Sequence, residues 1–303
     1  MLGNYLLVKT NFYFIGQTID VRMLLKFKRT LFINMSTISV YTQFFLQLAC
    51  IAAGYLFYRK KSISLSGLLA LIGISTVFIW LDLLLPLIVM AGMFASSSLL
   101  TGMGKKRKKN VSGIVEKSGP RDYIQAFANL GPAIVFIILF YFLGDWALLA
   151  AFIGSIAGAN ADSWASEIGG LSKQKPVLIT TFKLVPKGIS GGVTWLGTLG
   201  GIAGALFIVL LAFVCYWSIV PVKTLRLIIL IAFVAGITGF ILDSYLGAIG
   251  QGLYKSSTGQ LQEYEESGAK LEKGYRWINN DMVNFLTTTM AGLIAALLYI
   301  FLK

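Results

Sequence analysis

Histidine is absent from all 303 residues, which removes imidazole acid/base chemistry, the Ser-His-Asp triad and imidazole metal ligation together. Cysteine occurs twice, as Cys50 and Cys215, each inside an apolar stretch, so neither a disulfide framework nor a thiolate metal site has support. Charge is scarce as well: 13% of the chain is charged against 56% apolar, a balance no soluble domain of this size shows. Any chemistry must come from carboxylates, lysine, arginine, hydroxyls and the backbone.

What is present is a series of lipid-compatible segments. A bilayer core of ~30 Å takes ~20 apolar residues per helix. About eight such stretches can be laid along the chain, at residues 41–58, 64–81, 83–102, 123–143, 146–161, 190–216, 225–252 and 282–302. The sequence therefore reads as an all-α, polytopic transmembrane helix bundle of about 7–8 spans.

The net charge of +13 is collected between these stretches. Basic residues cluster at Arg59 to Lys61, Lys105 to Lys109, Lys173 to Lys187 and Lys255 to Arg276. The intervening turns carry little positive charge: Asp82, then Gly144-Asp145-Trp146, then a segment with only Lys223 and Arg226. Three hairpins thus hang from one basic face, with one span before Arg59 and one after Asp281. By the positive-inside rule that face is cytoplasmic, in a plasma (inner) membrane, and the charge meets anionic lipid rather than nucleic acid. The run Lys105 to Lys109 is read as a juxtamembrane lipid anchor worth ~1 kcal/mol per charge. Residues 1–34 carry Lys9, Arg22, Lys26, Lys28 and Arg29, which resist translocation, and lack the ordered regions of a signal peptide. They are read as an N-terminal extension, with translation expected from Met35 and a single transmembrane domain over 35–303.

Several polar segments interrupt the apolar pattern at the basic face. Arg121 precedes Gln125 and Asn129, which are four apart on one face of a helix entering lipid. Asn160-Ala161-Asp162-Ser163-Trp164-Ala165-Ser166-Glu167 ends the fifth stretch. Asp162 and Glu167 are five apart, so a regular helix does not superpose them and only a break near Ser163 converges them. They are hard oxygen ligands suited to Mg²⁺ with substrate phosphates, or else two solvated acids at a helix end. Lys183 and Lys187-Gly188-Ile189-Ser190-Gly191-Gly192 precede the next helix. Glycine N–H groups, a helix N-terminus and lysines are the materials of a phosphate site, and equally of a flexible loop ahead of close helix packing. Asp243 lies within a span, where an ionisable group costs several kcal/mol unless paired, hydrated or metal-bound, and so reads as functional. Asn280 and Asn284 share a face at the start of the last span, with Asp281 beside them. The tract Ser256 to Lys273, whose glutamates Glu263, Glu265, Glu266 and Glu272 are balanced by lysines, reads as a solvated loop without chemistry.

In this order, from Gly119-x-Arg121 with Gln125 and Asn129, through Asn160 to Gly169, Pro176 to Thr180, Pro186-x-Gly188-x-Ser190-Gly191-Gly192 and Asp243-Ser244, to Asn280-Asp281-x-x-Asn284, the segments resemble the integral membrane family called domain of unknown function 92. The resemblance covers roughly residues 41–302 and departs at Ile189, where a small polar residue is expected. That family includes the phytyl-phosphate kinase of tocopherol synthesis and is distantly similar to membrane cytidylyltransferases and dolichol kinase. The resemblance implies Mg²⁺ held by Asp162, Glu167, Asp243 and Asp281 as catalytic and metal-organising carboxylates. It implies phosphate or nucleotide contacts from Lys183, Lys187, Gly188, Ser190, Gly191 and Gly192, with Arg121, Gln125, Asn129, Asn160, Asn280 and Asn284 around them. The expected activity is transfer of a phosphate from CTP or ATP to an isoprenoid monophosphate. A nucleotidyltransferase making a CDP-linked lipid shares that inventory, and an ion-coupled transporter or lipid scaffold is the reading from another class.

Overall fold

The computed structural model describes residues 38–102 and 119–303, and the backbone of 11–14 and 17–20. The lysine run near residue 107 and the proposed start at Met35 lie outside the described residues. Each of the eight apolar stretches folds as one helix: α1 (Val40–Arg59), α2 (Leu65–Trp80), α3 (Leu84–Gly102), α4 (Tyr123–Leu143), α5 (Trp146–Gly169), α6 (Trp195–Tyr216), α7 (Val222–Ile249) and α8 (Asn280–Leu302). Of these, α1, α3, α4, α6, α7 and α8 are long and apolar enough to cross a membrane. The strands are short. Ahead of α1, β1 (Asn11–Phe14) pairs with β2 (Gln17–Asp20); β3 (Val177–Leu178) pairs with β4 (Gly192–Val193) between α5 and α6; and β5 (Leu253–Lys255), β6 (Leu261–Gln262) and β7 (Lys270–Lys273) form one antiparallel sheet between α7 and α8.

Side-chain caps set most boundaries. Ser39, Ser64, Asp122, Asp145, Thr194 and Asn279 each accept a first-turn backbone N–H, satisfying donors that the helix itself cannot. The α4–α5 turn needs only two residues, because Gly144 adopts φ 71° to end α4 and Asp145 at once caps α5. Two boundaries differ from the hydropathy reading. Helix α5 runs on through its polar end to Gly169, and α6 begins only at Trp195, because Gly192 and Val193 pair with β3 and Thr194 caps the helix.

Helix α5 is the centre of the bundle. Every residue from Leu149 to Ala161 is buried, and the helix packs against α3, α4, α6, α7 and α8. Small residues permit the approach: a Cβ on Gly236 of α7 would stand 2.7 Å from the Ala157 Cβ, and one on Gly204 of α6 would stand 2.9 Å from the Asn160 carbonyl oxygen. Asn160, expected at a substrate, is instead fully buried and ties three helices. Its Nδ2 donates to the Gly204 carbonyl at 2.8 Å, and its Oδ1 accepts from Ser96 (3.2 Å) and Ser97 (3.4 Å) of α3. Asn160→Ala is expected to lower unfolding stability by about 1–2 kcal/mol, read as an earlier thermal melt in detergent; an unchanged melt would contradict this structural role.

The connections sort into two ends. Gln43 at the start of α1 donates to Asp82 in the α2–α3 turn, and Tyr299 near the end of α8 lies near Asp145 in the α4–α5 turn; these mark one end. At the other, the backbone after α1 bridges to Arg121 through Ile63, and segments 167–194 and 247–279 meet as described below. The three-hairpin arrangement read from charge is thus the arrangement of the fold, with the described basic clusters at one end.

Candidate functional site

Asp243 is carried into the protein by the inner face of α7 and is buried there. Its Oδ2 accepts from the Thr287 hydroxyl of α8 at 2.9 Å. The Asp162 carboxyl on α5 is its close neighbour and interacts with it. Three helices therefore converge two carboxylates and a hydroxyl at one point near the basic end. Two carboxylates so close repel unless a proton or a cation stands between them.

The glycine loop lies one helical turn further along α7. A Cβ on Gly247 would stand 2.2 Å from the Ser190 Oγ, and Gly191, at φ +81°, rests so near α7 that a Cβ there would stand 2.4 Å from that of Ala248. Both glycines are thus required by close approach, Gly191 also by its left-handed backbone. The loop spends several of its donors internally. Ser190 N–H donates to Glu263 Oε1 at 2.6 Å, Ser190 Oγ to Gln251 Oε1 at 2.8 Å and Gly192 N–H to the Ile189 carbonyl at 3.0 Å. Ile189 is buried, which accounts for an apolar residue where a small polar one was expected. Gly188 takes φ +93° at the turn into the loop. The Lys187 ammonium donates to the Ser172 carbonyl and so clamps the loop, while Lys183 is exposed on the arm returning from the turn after β3, its carbonyl accepting from Leu178 N–H.

Glu167 is held apart from this pair. Because α5 continues unbroken past Ser163, Glu167 points toward α3, where the Thr101 hydroxyl donates to its Oε1. Arg121 completes that second cluster: its Nη2 reaches Thr101 Oγ1 at 3.4 Å, and its guanidinium lies 5.9 Å from the Phe94 ring centroid. Burial pulls the Arg121 guanidinium below its ordinary value, and the charge of Glu167 opposes that shift. The remaining polar positions serve helix architecture. Gln125 closes a capping box with Asp122, Asn129 donates to the Gln125 carbonyl at 2.9 Å, and Asn280 opens α8 behind its cap Asn279. Asp281 and Asn284 are buried on the first turns of α8, ahead of Thr287.

Among the described residues no three of histidine, cysteine, aspartate and glutamate gather as they would around a fully protein-held ion. The four acids expected at one centre are therefore distributed: Asp162 and Asp243 together, Glu167 with Thr101 and Arg121, and Asp281 at the head of α8. Thr287, Gln251, Thr101 and Glu263 are site neighbours that the sequence reading passed over.

Residues 48–292 match the family described as integral membrane protein DUF92. The chain belongs to that family. It is a multi-pass integral membrane protein. It is 31% identical over 267 residues to protein PGR of Arabidopsis thaliana, covering 80% of this chain and 92% of that one. It is 33% identical over 213 residues to an uncharacterized membrane protein of Methanocaldococcus jannaschii, covering 70% and 76%. Protein VTE6, chloroplastic, of Arabidopsis thaliana is 25% identical over 205 residues, 65% of this chain and 54% of that one. No solved structure matches the DUF92 chain.

Proposed function

We propose that this DUF92 protein is a membrane-embedded phosphotransferase that adds a phosphate from CTP or ATP to an isoprenoid monophosphate. The observation that carries the reading is the meeting of Asp162 and Asp243 one turn from the Ser190–Gly192 loop. Two carboxylates, completed by substrate phosphates, are a donor set that Mg²⁺ takes, so the residues fit the ion that the family resemblance implies. When bound, Mg²⁺ would neutralise charge on the transferring phosphoryl group.

The reaction asks positioning of the chain more than covalent chemistry. An oxygen of the lipid monophosphate attacks the terminal phosphorus of the nucleotide, the bond to the leaving diphosphate oxygen breaks, and a lipid diphosphate and nucleoside diphosphate result. Asp162 and Asp243 would hold the cation, Thr287 fixes the rotamer of Asp243, and the loop on Gly247 and Ala248 would form the adjoining wall for phosphate. The isoprenoid tail lies among the spans, and the nucleotide enters from the basic end, placed at the cytoplasmic side of the plasma (inner) membrane, where anionic lipid meets the lysines.

The test is incubation of purified protein with a polyprenyl monophosphate, Mg²⁺ and γ-labelled CTP or ATP. Labelled lipid diphosphate is expected. Absence of labelled lipid with either nucleotide across a panel of isoprenoid phosphates would overturn the kinase reading.

A further inference from the structure

The tract from β5 through β7 contains one acid out of pattern with its neighbours. Glu265, Glu266 and Glu272 are exposed, as a solvated loop requires, whereas Glu263 is only 6% exposed. A carboxylate is not buried without a compensating partner, and Glu263 has an unusual one: the Ser190 N–H, at 2.6 Å. Short backbone-to-carboxylate bonds are charge-assisted and about twice as strong as neutral ones.

The sheet delivers this side chain to the loop. Strand β5 leaves α7 directly through Gln251 and Gly252, Tyr254 pairs with Gln262 of β6, and Glu263 follows at the edge next to α7. The sheet is fixed to the end of α7: Tyr275 N–H donates to the Gly250 carbonyl at 2.9 Å, and Gly274, at φ +77°, packs where a Cβ would stand 2.1 Å from the Gln251 carbonyl oxygen. Gln251 is 2% exposed and grips the same serine through its hydroxyl. Ser190 is therefore held at N–H and Oγ by two residues that α7 and its appended sheet bring together. Glu263 also lies near enough for its charge to act on Asp243 and on Lys273. Burial lowers the Lys273 ammonium from its ordinary value, and Glu263 opposes that shift.

We propose that Glu263 is a positioning residue of the phosphotransfer site, holding Ser190 and the glycine loop against α7 one turn from Asp243. The extramembrane sheet is on this account part of the site rather than a solvated connection. The catalytic consequence rests on the kinase reading; the contact and its effect on the loop do not.

The test compares Glu263→Ala, Glu263→Gln and the exposed control Glu272→Ala in the full-length protein in detergent. Amide hydrogen exchange is followed over residues 186–194, and label transfer to a polyprenyl monophosphate is followed in parallel. Glu263→Ala is expected to speed exchange in that segment by about tenfold or more, with the thermal melt little changed, and to raise KM for the lipid phosphate more than it lowers kcat. Glu263→Gln, which retains an acceptor oxygen, is expected to recover much of the protection, and Glu272→Ala to behave as wild type. Unchanged exchange in Glu263→Ala, or the same acceleration in Glu272→Ala, would overturn the proposal. Failure of the wild type to label any lipid would count against the kinase reading alone, because the exchange measurement needs no turnover.

Discussion

Asp243→Asn is expected to lower lipid phosphorylation by roughly 10²–10³-fold, the cost typical of removing one preorganised electrostatic group from a reaction centre. The substitution is nearly isosteric, and the Thr287 hydroxyl can still donate to the amide oxygen, so the loss reports charge rather than packing. Stability should move the other way. Without a cation, neighbouring carboxylates repel unless a proton stands between them, and Asp162 and Asp243 are such neighbours. Replacing one carboxylate by an amide removes that conflict in metal-free protein. The variant is therefore expected to melt at or above the wild type in EDTA, while Mg²⁺ raises the melt of the wild type only. A fall in both activity and metal-free stability would show that Asp243 serves the fold instead.

Gly191→Ala carries the second large effect. At φ +81° an alanine pays ~1–2 kcal/mol of backbone strain, and its Cβ would meet Ala248 at 2.4 Å from the Cβ and 2.7 Å from the Cα. Neither partner is the end of a flexible side chain, so the loop must leave α7. Because a displacement of about 1 Å can cost 10²-fold in rate, turnover should fall by about that factor. Gly259→Ala supplies the control: its φ is +83°, but a Cβ there meets nothing within 4 Å, so it should cost strain alone and leave turnover intact. Equal losses in the two variants would show that left-handed backbone strain in general, and not the seat of the glycine loop on α7, limits the reaction.

The helices were legible in the sequence because lipid demands long apolar runs, but hydropathy alone placed the start of α6 at residue 190, and the Thr194 cap that sets it at Trp195 was not read. The end of α5 was not, since Asp162 to Glu167 interrupts hydropathy without breaking the helix. Asp243 announced itself through the cost of charge within a span, yet its partners followed unevenly. Asp162 meets it across the bundle. Glu167, five residues on along an unbroken helix, was carried around to Thr101 and Arg121 instead. Thr287 was hidden because helical threonines usually bond their own backbone, as Thr289 does with the Phe285 carbonyl. Glu263 was the least legible: beside Glu265 and Glu266 no periodicity marks it, and its contact with Ser190 spans 73 residues of chain. Asn160 shows the converse, a polar group that looked chemical in sequence and proved to be an interhelical tie.

Asp162 and Asp243 are expected to form one cation-dependent site. Mn²⁺, standing in for Mg²⁺, tests it directly when its binding to the purified wild type, Asp162→Asn and Asp243→Asn is followed by electron paramagnetic resonance in the presence of a non-hydrolysable nucleotide. The account predicts a saturable bound signal in the wild type that both single variants lose to a similar degree. Binding that persists unchanged in both variants, or is lost in one and kept in the other, would contradict it.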